Sequence, residues 1–335
     1  MPPRQDLLTE ILHPVLDTYL NSEVGVTGCH SYGLARECCE YDVIVVSAES
    51  RPKASVKFGN TYVDLIFMSE KEVLGPSDPE VAVSLSSVVP VRDNSLTFST
   101  SSSTARAVLQ ENLKKCAETR LARSLKALVR ADQALSKNDV ADANFWLTAG
   151  GYEFGYAWLY SSGATPAPSH ILWQLRNHVN RGSEGYVAFS KAVGLEVASR
   201  KECGERLEAI AIVQDAISAS ETTEPEGMDS VSARTSFEIV RSKAECLTRE
   251  IMHVDCYAFL GLAMYTTVPR LSALQSKSAE ADLEQAGLVA SLLEGDKKLI
   301  GERVVDSLGL TRPATSIEKG IKALRDEISN LAKQI

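Results

Sequence analysis

The sequence predicts an α+β protein, with a small mixed-sheet domain followed by an all-α helical region. Three observations carry that prediction. Within the first 95 residues, short β-branched runs interrupt a helical spacing of apolar side chains. A Ser/Thr-rich passage, Ser95 to Thr104, then has the composition of a linker. Beyond it nearly every segment places apolar residues three and four apart, the period of an amphipathic helix. The expected domains are residues 1–98, 99–180 and 181–335, and a split of the helical part at the acidic 221–227 segment is as defensible as one near 181.

The elements follow in order. Residues 4–20 align Leu7, Leu8, Ile11, Leu12, Val15, Leu16 and Leu20 as one helical face. Val24 to Thr27 is short and β-branched, Tyr41 to Val46 reads as a buried strand, and Ala54 to Phe58 and Thr61 to Met68 flank Gly59-Asn60 as the arms of a hairpin. A helix between Ser69 and Ser87 is interrupted at Gly75-Pro76 and restarts near Asp78-Pro79, and Val88 to Val91 forms one more short strand. Helices are expected at 104–137, 139–162, 169–180, 183–220, 230–265 and 279–294, with a last one from Ser316. The acidic 221–227 segment, with its Pro and Gly, reads as a mobile loop.

Composition narrows the function. A chain of 335 residues has room for two or three domains. Its 35 Lys and Arg against 44 Asp and Glu give a formal charge of −9, which argues against a general nucleic-acid binder, because such proteins need surplus cations to displace counterions. No apolar run approaches the roughly 20 residues that a bilayer demands, so no membrane partner is expected. The N-terminal residues lack the regions of a secretory leader and read as mature amphipathic helix. Seven cysteines without a Cys-x-x-Cys pair point to a reducing cytoplasm. The histidines are scattered, so any metal is expected to be a hard ion held by carboxylates rather than zinc. One stretch departs from the acidic balance: Thr104 to Arg130 holds seven cations against two anions.

Chemistry concentrates in Gly28 to Asp42, which leads into Val43-Ile44-Val45-Val46. A strand ends at Gly28, a turn of small residues with a second glycine, Gly33, follows, a short helical stretch is expected next, and Glu40 and Asp42 open the following strand. Period two puts those carboxylates on one face. Asp64 lies between Val63 and Leu65 in what should be an adjacent strand, where an unpartnered charge would be costly, so a partner or a metal is expected. Three acids converging beside a glycine turn make a site for Mg²⁺ and a triphosphate, with backbone amides of the turn cradling phosphate oxygens. Either feature alone is more often a solvated acid or an ordinary turn; their joint order is what carries the reading.

This segment resembles the nucleotidyltransferase superfamily that includes DNA polymerase beta, and within it the minimal and antibiotic-modifying members. Their signature reads G-S-x-A-R-G-x-A-x-x-x-S-D-I-D-L, with a third Asp one or two strands later. Gly28, Gly33, Ala35 and Asp42 match in register without a gap, Glu40 falls on the first Asp, and Asp64 falls on the third. The resemblance covers about residues 5 to 95. It implies transfer of a nucleoside monophosphate from an NTP, ATP foremost, to a hydroxyl of a small-molecule, protein or RNA acceptor. Glu40 and Asp42 would bind Mg²⁺, Asp64 would complete the metal site or accept the hydroxyl proton, and Gly28, Cys29, Ser31 and Gly33 would meet the phosphates. Cys29 stands where the family has serine, Tyr32 where it has arginine, and Glu40 where it has aspartate. Those departures motivate the alternative, a catalytically degenerate fold serving as a nucleotide-, RNA- or protein-binding module.

The helical half is similar to the HEPN type of domain that accompanies many small nucleotidyltransferases, over about residues 104 to 180. The HEPN ribonuclease signature is absent: Arg249 and His253 are separated by three residues and Arg176 and His178 by one. Aromatics between Phe145 and Tyr160 read as core packing, and Gly150, Gly151 and Gly155 as a close approach of a helix or ligand. Glu153 is either an acceptor-activating base or a paired acid. The acceptor pocket is expected between the sheet domain and the 139–180 region, and assembly as a homodimer stays open. The basic 104–130 segment suggests RNA, although leucines at 109, 113, 121, 125 and 128 also fit an ordinary packed helix.

Overall fold

The structure, a computed structural model, describes residues 5–49, 51–59, 61–179, 181–220, 230–275 and 304–335. The helix expected at 279–294 and the 221–227 segment lie outside them. The chain divides into two compact units, Met1–Cys116 with Glu224–Ser242, and Ala117–Thr223 with Lys243–Ile335. Among the described residues no helix is long and apolar enough to cross a membrane.

The first unit is α+β. Helices α1 (Gln5–Ile11) and α2 (His13–Thr18) replace the single helix expected over 4–20. The break falls at Leu12, two residues before Pro14, whose missing N–H and locked φ suit the first turn of a new helix better than the interior of a long one. Strands β1 (Val24–Thr27), β2 (Tyr41–Val46), β3 (Ala54–Phe58), β4 (Thr61–Met68) and β5 (Val89–Arg92) form one mixed sheet in the order β3-β4-β2-β1-β5, with β2 and β4 parallel and the other pairs antiparallel. Pro90 is accommodated because β5 is an edge strand, where a missing donor costs no ladder bond. A one-turn helix, α3 (Gly28–Ser31), follows β1 directly. The helical stretch expected after Gly33 is therefore displaced to before it.

Alternation divides the sheet into two apolar faces. Leu8, Leu12, Val15 and Leu16 of α1 and α2 pack on Val24, Val26, Val43, Val45, Val63 and Leu65. On the other face Ile44 meets Val73, Leu85, Val88 and Phe98, supplied in part by α4 (Glu70–Leu74) and α5 (Pro79–Leu85), the two pieces expected on either side of Gly75-Pro76.

The Ser/Thr-rich passage is not a linker. It forms α6 (Thr97–Ala107), with Phe98 fully buried and Ser101, Ser102 and Ala105 facing inward. Two features make a helix of this composition. Both Asp93 carboxylate oxygens accept from backbone amides of its first turn, Phe98 N–H and Ser99 N–H, each at 2.9 Å. The small polar side chains then find carbonyls: Ser101 Oγ donates to Val73 O at 2.6 Å and Ser102 Oγ to Ser86 O at 3.1 Å.

The second unit is all-α in its described residues. It holds most of α7 (Leu109–Ser136), then α8 (Val140–Ser161), α9 (Ile171–His178), α10 (Glu184–Val193), α11 (Arg200–Ser220), the end of α12 (Ser230–Arg249), α13 (His253–Gln275) and a C-terminal helix, Ala314–Ala332. Helix α8 is its centre, buried on nearly every side. A Cβ on Gly151 would lie 2.9 Å from both Ala192 and Val193 of α10, so the small residues of α8 serve helix packing. The stretch expected as one helix over 183–220 is broken at Gly194, which takes a left-handed φ of 73°. That over 230–265 is broken at Ile251, which takes a φ of 61°.

Candidate metal centre

The sheet register assembles the acids. Asp42 of β2 is the Cα partner of Asp64 on parallel β4, Asp64 is the partner of Ser55 on β3, and Asp42 is the partner of Thr27 at the end of β1. Register partners point to one face, so Ser55, Asp64, Asp42 and Thr27 form a row across four strands, on the face lined deeper in by Ile44 and Ile66. Glu40 lies one step before β2 and reaches the same point. Carboxylate oxygens of Glu40, Asp42 and Asp64 all lie within 4.8 Å of one another.

Gly28 closes the site from the β1 side. Its φ of 69° is left-handed, and a Cβ built on it would overlap the Asp42 carboxylate. Gly33, at φ 71°, ends the same turn. Between them Ser31 Oγ donates to the Gly28 carbonyl at 2.9 Å and lies 3.4 Å from Ser87 Oγ, so its hydroxyl is engaged within the turn. Cys29 is buried. It lies toward Tyr41, whose phenol is held above its ordinary value by burial and by the nearby Cys29 and Cys39. The His30 ring stacks on Tyr41 with centroids 3.8 Å apart, a packing role for that histidine.

Two residues that sequence reasoning missed complete the site. Lys53 Nζ lies 2.6 Å from Asp64 Oδ2, and Ser55 Oγ donates to Asp64 Oδ1 at 2.6 Å while standing 2.9 Å from Ser236 Oγ. Burial works against the Lys53 charge, but Asp64, then Asp42 and Glu40, outweigh it and hold the ammonium above the ordinary lysine value. One ammonium against three carboxylates leaves a formal excess of negative charge at the site. The signal for Ser55 was in the hairpin: pairing Phe58 with Thr61 across Gly59-Asn60 sets Ser55 opposite Asp64.

In the second unit Glu153 is a paired acid. Arg120 Nη1 donates to it at 2.9 Å and Tyr265 Oη at 3.3 Å, and only 5 % of its side chain is exposed. The Arg120 guanidinium also lies 4.8 Å from the Tyr156 ring centre, and that of Arg130 lies 4.4 Å from the Trp146 ring centre. Arg120 and Arg130, two of the seven cations of the 104–130 segment, are thereby engaged within their own unit. Leu113, Leu121 and Leu128 are buried beneath that segment, whereas Leu125 is exposed. No protein-family model matches the chain, and no curated protein matches it significantly.

Proposed function

We propose that the chain is a Mg²⁺-dependent nucleotidyltransferase that moves a nucleoside monophosphate from an NTP, ATP foremost, to an acceptor hydroxyl. The observation that carries this reading is the convergence of Glu40, Asp42 and Asp64 within 4.8 Å on one sheet face, with Gly28 pressed against Asp42. The donor set fits the ion: anionic, all-oxygen and held on adjacent strands suits a hard cation. Mg²⁺ bound to these carboxylates would offset the charge of a triphosphate and of the departing pyrophosphate.

The chain's own groups do the rest. Asp64 is oriented by Ser55 and Lys53 as ligating carboxylates commonly are, which favours a holding role over that of proton acceptor. Lys53, its side chain 55 % exposed, has the freedom to turn its ammonium to a phosphate oxygen. With Cys29 buried and the Ser31 hydroxyl engaged, the Gly28–Gly33 turn would meet phosphates through backbone amides. In the transfer the acceptor oxygen bonds the α-phosphorus, the bond to the α,β-bridging oxygen breaks, pyrophosphate leaves with that electron pair, and the hydroxyl proton passes to solvent.

One observation favours a second reading. The Lys53–Asp64 ion pair at 2.6 Å supplies a positive charge from within the chain, as befits a catalytically silent nucleotide-, RNA- or protein-binding module. Of these, RNA is the least supported, because Arg120 and Arg130 are engaged by Glu153, Tyr156 and Trp146. Incubation with labelled NTPs and Mg²⁺ or Mn²⁺ separates the readings. Pyrophosphate release that is lost in Asp42→Ala/Asp64→Ala supports the enzyme, and nucleotide binding without release supports the module.

A further inference from the structure

The first part of α12 belongs to the sheet unit, and it brings a hydroxyl to the edge of the acid row. Ser236 Oγ lies 2.9 Å from Ser55 Oγ, which donates to Asp64 Oδ1 at 2.6 Å. Ser55 has one proton and gives it to Asp64, so Ser236 is the donor in its contact with Ser55. A second bond seats the same helical turn: Tyr62 Oη of β4 donates to Glu238 Oε2 at 3.4 Å. Thr27 and Ser55, hydroxyls within the row itself, are buried, whereas Ser236 is exposed. A hydroxyl that donates keeps both lone pairs of its oxygen, and a lone pair is what attacks phosphorus.

We propose that Ser236 is an acceptor hydroxyl for the nucleotidyl transfer, so that the chain modifies itself and carries a nucleoside monophosphate on this serine. The proposal rests on the transferase reading above and adds an acceptor to it. Asp64 holds the Ser55–Ser236 pair on one oxygen and Lys53 on the other, at 2.6 Å, so a triphosphate drawn to Lys53 and to a cation on the acids would lie beside the serine. Ser236 Oγ bonds the α-phosphorus, the bond from that phosphorus to the α,β-bridging oxygen breaks, and pyrophosphate leaves with the electron pair. The Ser236 proton passes to solvent, to which the residue is open. One NTP is consumed, one phosphodiester forms on the serine and one pyrophosphate is released, with no change of oxidation state. Acids and acceptor belong to one unit of one chain, so the reaction is intramolecular.

The test uses the full chain with ATP and Mg²⁺. Trypsin, cutting after Arg234 and Arg241, releases residues 235–241 as one peptide. Mass spectrometry should find that peptide heavier by AMP less water, with fragmentation placing the group on Ser236 and not on the buried Thr235. The adduct should be lost in Ser236→Ala, return in Ser236→Thr, which keeps a hydroxyl, and form at a rate independent of protein concentration. As a readout without turnover, Mg²⁺ with the α,β-methylene analogue of ATP should slow amide exchange across residues 235–241. Pyrophosphate release without an adduct on Ser236 overturns this proposal and leaves the transferase reading standing, whereas absence of both overturns the two together. An adduct whose rate rises with protein concentration, or exchange that the analogue leaves unchanged, also overturns it. The wild-type peptide map decides the matter even where a variant fails to fold.

Discussion

Asp64 is the residue on which the site turns. It is nearly buried, sits in register between Ser55 and Asp42, and takes an ammonium on one oxygen and a hydroxyl on the other. That arrangement meets the expectation that a carboxylate flanked by Val63 and Leu65 needs a partner. It also yields a prediction about Lys53, because its charge competes with any cation for the same carboxylates. Lys53→Met should tighten Mn²⁺ binding by up to about fivefold, the equivalent of roughly 1 kcal/mol for a half-exposed ion pair, as read by calorimetric titration. Weaker Mn²⁺ binding in that variant would place the cation elsewhere. Gly28 gives a second prediction. In Gly28→Ala the new methyl must displace the Asp42 carboxylate and the backbone must hold a left-handed φ, at a cost of about 1–3 kcal/mol in a urea titration. Mn²⁺ binding should weaken in the same variant, since Asp42 is the group that moves.

At the scale of elements, legibility followed the locality of the determining interaction. The strands and the β3–β4 turn were readable because β-branched runs and a two-residue glycine turn act over a few residues. That Asp64 lies on a strand adjacent to Asp42 was readable from the order of the acids and the glycine turn, but their residue-for-residue pairing was not, since a parallel register is set by distant packing and no turn specifies it. Helix α6 was not readable. Its Ser and Thr residues have the composition of a linker, and what makes them helical is an Asp93 cap and carbonyls of other segments that their hydroxyls reach. Lys53 was missed for a like reason: it lies just before β3, outside any motif, and only the folded sheet brings it to Asp64. The cap is testable. Asp93→Ala should cost about 1–2 kcal/mol by urea denaturation, and a change within error would mean that α6 is held by packing alone.

For the whole molecule, alkaline stability follows from buried phenols. Burial, then the charge of Glu153 and its hydrogen bond, push Tyr265 up to about 12 from an ordinary value of 10.0. The fold thus favours the neutral phenol, so its contribution is fully present below about pH 10 and is lost as pH rises through about 12. Tyr152, fully buried and donating to Ala258 O, is pushed up in the same sense. The denaturation midpoint should fall between pH 10 and 12, and fall less steeply in Tyr265→Phe; equal slopes would remove Tyr265 from the account. The central claim is the three-carboxylate centre, and the measurement that meets it most directly is equilibrium binding of labelled ATP with and without Mg²⁺. Wild-type protein should bind ATP in a Mg²⁺-dependent manner, and the near-isosteric Asp42→Asn/Asp64→Asn variant, folded by circular dichroism, should lose that dependence. ATP binding that is indifferent to Mg²⁺, or unchanged in the double variant, would contradict the account.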